Sequence, residues 1–245
     1  MKILYNFGLV GYFAWDILRW TFTSRPSCRL FMEEAYRVGI RSLPIVCSVA
    51  FFIGSNIAIQ GFSLFKEFGG ESLVGMFVGL ASIREMAPIV AGSMVAAKSG
   101  SEMAASIANM RIKNQIDAME VMAVNPFRYL MAPKFLAVIL MVPLLTLVAD
   151  FFCLASGYIV SVYQLHVNSG VFMLNLANFI TSQDILFSMF KGFVFGIIIC
   201  ILSCFFGFYS KPGALGVGQA TNRSIVSIAS LAIIINFFLS ELMYG

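Results

Sequence analysis

The sequence predicts an all-α membrane protein: an N-terminal amphipathic helix lying in the membrane interface, five transmembrane helices, and a short helix outside the membrane between spans two and three. Three observations predict it. The 245 residues are 60% hydrophobic and only 11% charged, with a mean hydropathy of +0.90, where a soluble domain carries about 25% charged residues. Five apolar stretches each approach the roughly 20 residues that a bilayer crossing needs. The 16 Lys and Arg residues gather in alternate connections. The net charge of +4 sits in short loops beside apolar runs, a pattern that suits a membrane surface and does not suggest nucleic acid.

Residues 1–42 form the interfacial helix and a charged lead-in. Leu4, Phe7, Gly11, Trp15, Leu18 and Phe22 recur at helical spacing. Trp15 and Trp20, the two tryptophans, sit with Arg19 and Arg25. Asp16 and Arg19 follow the first apolar residues with no small-residue cleavage site, which argues against a cleaved leader. An amphipathic helix in the interface fits this pattern, with a short spanning helix as the alternative. Between Arg29 and Arg41, Glu33 and Arg37 stand four residues apart, placed to pair on one helical face.

Residues 43–245 hold the spans, at about Leu43–Phe65, Leu73–Ala97, Phe135–Val162, Ile185–Tyr209 and Ile225–Tyr244. Pro44, Pro88 and Pro143 fall inside or at the start of spans, where neighbouring helices can satisfy the freed carbonyls. The Tyr163–Asp184 connection is polar enough for a loop or short helix. The pairs Gly75/Gly79 and Gly192/Gly196 permit close helix approach. Thirteen basic residues fall in the N-terminal segment, the Lys98–Lys134 connection and the Lys211–Arg223 region, against Lys66 and Lys191 on the other side. By the positive-inside rule the N-terminus and the Lys98–Lys134 connection are cytoplasmic, and five spans put the C-terminus on the far side.

The stretch from Gly79 to Leu130 concentrates ionisable groups: Arg84, Glu85, Lys98, Glu102, Arg111, Lys113, Asp117, Glu120 and Arg128. Such groups cost roughly 2.5–3.5 kcal/mol each at a bilayer centre, so their retention points to use. Arg84 and Glu85, adjacent on a helix, point about 100° apart and cannot both face lipid cheaply. They form either a structural ion pair or a polar spot in a substrate path, and Pro88 one turn later favours a cavity. Asp150 is either a partner for Arg84 or a hydrogen-bonded structural group. From Arg111 to Val124, Ile112, Ile116, Met119 and Ala123 line one helical face, and Asn125-Pro126 ends the segment. This reads as a surface helix that covers the bundle end or as a docking helix for a cytoplasmic partner.

Other signals exclude chemistry. The single histidine, His166, has no Ser-His-Asp order around it. Gly92–Ser99, GSMVAAKS, misses the P-loop pattern because Ala97 replaces its second glycine and no strand precedes it. The five cysteines, Cys28, Cys47, Cys153, Cys200 and Cys204, lie in or beside apolar runs without metal-type spacing. Cys200 and Cys204 share a helix face as apolar filler or as a dithiol.

Two motif stretches resemble a known family. GLASIREMAPIVAGSMVAAKSGSEMAASIANMRIKNQIDAMEVMAVNPFRYLMAPKFLA and GALGVGQATNRSIVSIASLAIIINFFLSELMY match, in order, the pattern of the MlaE-type permeases, membrane subunits of ABC-type lipid transporters associated with MCE proteins. The likeness runs from about Arg37 to the C-terminus. Ala87 stands where the family has glycine, Lys98 where it has arginine, and Asn114-Gln115 where it has Glu-Gln. The resemblance implies a permease that moves phospholipid or a similar lipid between the bacterial inner membrane and an MCE-domain protein on the far side. It implies no catalysis and no cofactor in this chain, with ATP and Mg²⁺ in a separate cytoplasmic ATPase, and a second copy of the permease. Position by position it implies a lipid site at Ile57, Leu64, Phe65, Phe68, Arg84, Glu85 and Met86. It makes the 111–124 segment a coupling helix, with ATPase contacts at Arg111, Ile112, Gln115, Ile116, Met119 and Glu120. The competing reading is a self-contained secondary transporter or channel, against which stands the absence of an inverted repeat. A membrane-embedded enzyme is a third class.

Overall fold

A computed structural model of the protein describes residues 2–23, 27–67 and 69–244, with the backbone alone over 2–7. The described residues are all-α, without a strand. Five helical segments are long and apolar enough to cross a membrane: Cys28–Lys66, Glu71–Ile112, Phe127–Gln164, Ser182–Phe208 and Ala214–Tyr244. The helices are α1 (Lys2–Thr23), α2 (Cys28–Val38), α3 (Leu43–Lys66), α4 (Val74–Ala81), α5 (Ala87–Val95), α6 (Ser101–Ile112), α7 (Gln115–Val121), α8 (Ala132–Ile159), α9 (Ser169–Phe179), α10 (Ser182–Phe208) and α11 (Ala214–Tyr244). Four π-helical turns join or extend them, at Ser82–Met86, Ala96–Gly100, Phe127–Met131 and Val160–Gln164.

Four of the five segments outrun the expected spans at one end, starting early at Cys28, Phe127 and Ala214 or ending late at Ile112. The second helical segment continues to Ile112 instead of stopping near Ala97. Its 42 residues are about twice the roughly 20 that a bilayer crossing needs. Lys98 and Glu102 end the apolar run but not the helix, because Met103, Ala104, Ile107 and Ala108 still bury one face. The fifth segment likewise starts at Ala214, eleven residues before the apolar stretch.

The chain divides into two compact units. One comprises Met1–Ser42, Ser93–Val142 and Val194–Ala232. Its core is aromatic where α1 docks. Phe13 packs edge-on against Phe127 and Phe205 at ring distances of 5.3 and 5.6 Å, and Ile17 one turn later is fully buried. Of the expected apolar stripe, Gly11, Trp15 and Phe22 are exposed and Leu18 is half-buried, while the side chains of Leu4 and Phe7 lie outside the described residues. The buried face of α1 is apolar, and its exposed residues mix Trp15 and Phe22 with Arg19. In α2 the expected Glu33–Arg37 pair is replaced: Glu33 pairs with Arg29 at 3.1 Å and Arg37 with Glu34 at 3.7 Å. Glu34 is drawn inward because it also pairs with buried Lys134.

The other unit comprises Leu43–Gly92, Pro143–Phe193 and Ile233–Gly245. Ala58, Val74, Val78, Val167 and Phe172 form its buried centre, flanked by Ile57, Phe62, Phe65 and Tyr158. Small residues set its spacing. A Cβ at Gly54 would lie 2.1 Å from the Cys153 carbonyl oxygen, and one at Gly75 2.4 Å from that of Phe172. The Gly75/Gly79 pair thus serves packing inside the chain, against α9. That helix answers the open question about the Tyr163–Asp184 connection; Asn168 caps it by accepting from the Gly170 and Val171 amides.

Candidate functional site

The site begins with a proline. Pro88 has no N–H, and its ring presses on the carbonyl four residues back, which belongs to Arg84. Here the helix widens into the π-turn Ser82–Met86, and neighbours take up the freed polar groups. Lys191 of α10 donates to the Arg84 carbonyl at 2.6 Å. The same ammonium donates to Ser240 Oγ at 2.6 Å and faces Glu85 Oε1 at 3.4 Å. An ammonium has three donors, and all three are matched, although the side chain is fully buried.

Glu85 is the hub. Its Oε1 also accepts from the Ser240 hydroxyl at 2.6 Å, and its Oε2 accepts from the Asn236 amide at 2.7 Å. Arg84 turns to a different partner, donating from Nε to Asp184 at 2.9 Å, and its guanidinium stacks 4.4 Å from the Tyr244 ring. Asp184 is itself fixed at the start of α10, where its second oxygen accepts from the Thr181 amide at 2.9 Å. A carboxylate in the first turn of a helix is favoured by the helix dipole. Asp150 does not pair with Arg84; it accepts from Ser188 at 2.8 Å, the structural alternative of the sequence reading.

This network floors a groove of about 470 Å³. Its walls are Met76, Phe77, Leu80, Ala81 and Phe237, and its polar end is Arg84, Glu85, Ser240, Glu241 and Tyr244. About a third of the Arg84 and Glu85 side chains stays accessible, 33% and 37%. Hydrocarbon walls with a hydrogen-bonded charge pair at one end can hold an amphiphile by both its parts. Among the described residues no group of three or more His, Cys, Asp or Glu is placed to hold a metal ion.

Of the expected lipid-site residues, the structure brings Arg84 and Glu85 into the groove. Phe65 lies behind its wall, with its ring 5.9 Å from that of Phe77. Ile57 packs on the buried centre, while Leu64 and Met86 are exposed elsewhere. Phe68 lies outside the described residues. Sequence reasoning missed Asp184, Lys191, Asn236, Ser240 and Tyr244. One signal was available: Asn236, Ser240 and Tyr244 are polar at i, i+4 and i+8 in an apolar span, one stripe of a helix face.

The segment between the second and third spans is a seven-residue helix, Gln115–Val121, rather than one helix over 111–124. Arg111 and Ile112 end α6, and Asn114, in the left-handed region at φ 56°, breaks the two apart. Arg111 bridges the break by pairing with Asp117 and stacking over Phe208 at 5.4 Å. Ile116 is fully buried, so it anchors α7 instead of projecting from it; the exposed apolar knobs are Val121 at 88% and Met122 at 65%. Gln115 and Glu120 are exposed, and Met119 is half-buried.

Comparison with known proteins converges on one group. The sequence pattern of the family described as Permease MlaE matches residues 31–242. A protein of Rickettsia felis described as a probable ABC transporter permease protein is 37% identical over 88% of this chain and 83% of its own length. One of Synechocystis with the same description is 33% identical over 99% of this chain and 91% of its own length. The intermembrane phospholipid transport system permease protein MlaE of Haemophilus influenzae is 30% identical over 88% of this chain and 83% of its own length.

Proposed function

Because the chain belongs to the MlaE permease family, we propose that it is the membrane subunit of an ABC-type transporter that moves phospholipid or a similar lipid. The observation that carries this reading is the groove with apolar walls that ends on Arg84 and Glu85. Acyl chain lies against Met76, Phe77, Leu80 and Phe237. The head group meets the guanidinium donors that Asp184 leaves unused, while Glu85, held by Lys191, Asn236 and Ser240, keeps the polar end from collapsing into the apolar wall.

Energy comes from a separate cytoplasmic ATPase that binds ATP and Mg²⁺. It docks on α7, for which Val121, Met122, Gln115 and Glu120 supply the accessible surface, an apolar pair in a polar frame suited to a groove in a partner. Arg111 and Ile112 support that surface from α6. An MCE-domain protein receives or delivers lipid on the far side, and two copies of the chain act together. The membrane is the bacterial inner membrane, with the N-terminus cytoplasmic and α1 lying in its interface, a placement supported by the exposed Trp15 and Phe22 beside Arg19.

The test is transport of a labelled phospholipid from proteoliposomes that contain the chain and its co-purified ATPase. Leu80→Trp fills the groove without touching the charge network and is expected to cut nucleotide-dependent transport at least tenfold, about 1.4 kcal/mol, with the complex intact. Lipid movement that needs no nucleotide favours the self-contained transporter, and normal transport by Leu80→Trp removes the groove from the path.

A further inference from the structure

A second groove, lined by none of the residues of the charge network, lies in the unit that contains α1. It has a volume of about 370 Å³ and is lined by Leu9 and Val10 of α1, by Leu202, Phe205, Phe206 and Tyr209 at the end of α10, and by Arg223, Ser227 and Leu231 of α11. Its polarity is graded. Arg223, Ser227 and Leu231 stand four residues apart, so they follow one another along one face of α11. Leu202, Phe205 and Phe206 form the matching face of α10, with Tyr209 just past its end. The α11 side of the groove therefore runs from a guanidinium through a hydroxyl to hydrocarbon at Leu231, about 12 Å from Arg223 at 1.5 Å per residue, and Tyr209 adds a second hydroxyl to the lining.

Charge and depth give the occupant. Among the described residues Arg223 has no ion-pair partner, and no carboxylate lines the groove. A 31-residue helix is about ten residues longer than a bilayer core requires. The apolar part of α11 begins at Ile225, so Arg223 stands at the membrane surface, Leu202 lies near its level because the adjacent Ser203 and Ser224 hydroxyls are 3.2 Å apart, and Leu231 lies deeper. The Phe13 cluster that pins α1 to α10 keeps Leu9 and Val10 in place as the third wall.

We propose that this groove is a binding site for an anionic phospholipid of the leaflet that borders the N-terminal segment, with its phosphate on Arg223 and one acyl chain between Leu202, Phe206 and Leu231. The lipid completes the packing of α1 against the spans. The proposal depends on the membrane placement of α11 and not on the transport reading.

The experiment uses the full chain, with any subunits that co-purify, in phosphatidylcholine vesicles. A trace of phosphatidylglycerol with a mid-chain diazirine is the probe, and phosphatidylcholine with the same diazirine is its control. After photolysis the labelled peptides are mapped. Labelling by the anionic probe within residues 202–209 or 223–231 is expected. Arg223→Gln should lower it about fivefold, as loss of one surface cation does, Arg223→Lys should retain most of it, and Leu231→Trp should abolish it. Groove labelling that is equal for both probes, or unchanged in Arg223→Gln, overturns the proposal. So does labelling confined to the groove of Arg84 and Glu85, or a crosslink from residues 202–231 to another protein chain in native membranes.

Discussion

At the residue scale the pair Glu85 and Lys191 is asymmetric. Lys191 is fully buried, while Glu85 keeps 37% of its side chain accessible and two neutral donors of its own. Removing the carboxylate strands a buried ammonium; removing the ammonium leaves a carboxylate that water and hydrogen bonds still stabilise. Glu85→Ala should therefore destabilise the detergent-solubilised protein by about 3 kcal/mol and Lys191→Met by roughly half of that. The double variant Glu85→Gln/Lys191→Met should be less destabilised than the sum of its singles. Equal losses for the two single variants in thermal or denaturant unfolding would refute the asymmetry. The sequence exposed only part of this site. Arg84 and Glu85 stand out because two ionisable neighbours interrupt an apolar run. Their partners lie 100 to 155 residues away, and each is unremarkable alone: Asp184 sits at a span end, Lys191 looks like a flanking cation, and Ser240 is one of many serines. What joins them is tertiary packing, which local pattern does not encode.

At the element scale the decisive feature is Pro88 and the widened turn before it. Restoring an N–H with Pro88→Ala lets a regular α-turn close on the Arg84 carbonyl and compete with Lys191. Thermal stability should hold or rise, since an interior proline is worth about 3 kcal/mol to a helix when replaced. Phospholipid transport should fall, because Arg84 and Glu85 turn away from their partners. A fall in stability together with normal transport would break that link. For α7 the burial pattern selects different residues from periodicity. Ile116 belongs to the core, so Val121→Asp and Met122→Asp, both at exposed positions, are the substitutions expected to weaken ATPase capture by about tenfold without lowering the melting temperature; undiminished capture excludes this surface. The spans themselves were legible because unbroken apolar runs of about 20 residues rarely occur outside a bilayer. Their true ends were not, since Lys98 and Glu102 depress hydropathy while the helix runs on under a buried face. The break at Asn114 was also hidden, because the apolar period of Ile112, Ile116 and Met119 continues across it.

At the scale of the whole molecule, five apolar segments and a thirteen-to-two basic bias give an expected orientation that labelling can check. In a Cys28→Ser background, Lys113→Cys and Glu71→Cys, both exposed, should react with a membrane-impermeant maleimide from opposite sides; reaction of both from one side would remove the assignment. The four π-turns bear on how such a chain tolerates changes in length. A π-turn holds one residue more than a regular helix needs for the same rotation. A one-residue deletion inside Ser82–Met86 is therefore expected to leave the faces of α4 and α5 where they are, with Pro88 still unable to donate to the turn before it. The fold survives as a plainer bundle, and what disappears is the outward displacement that puts a cation and an anion at the foot of an oily slot. The extra residue is a small insertion that the architecture does not require and that the proposed site does.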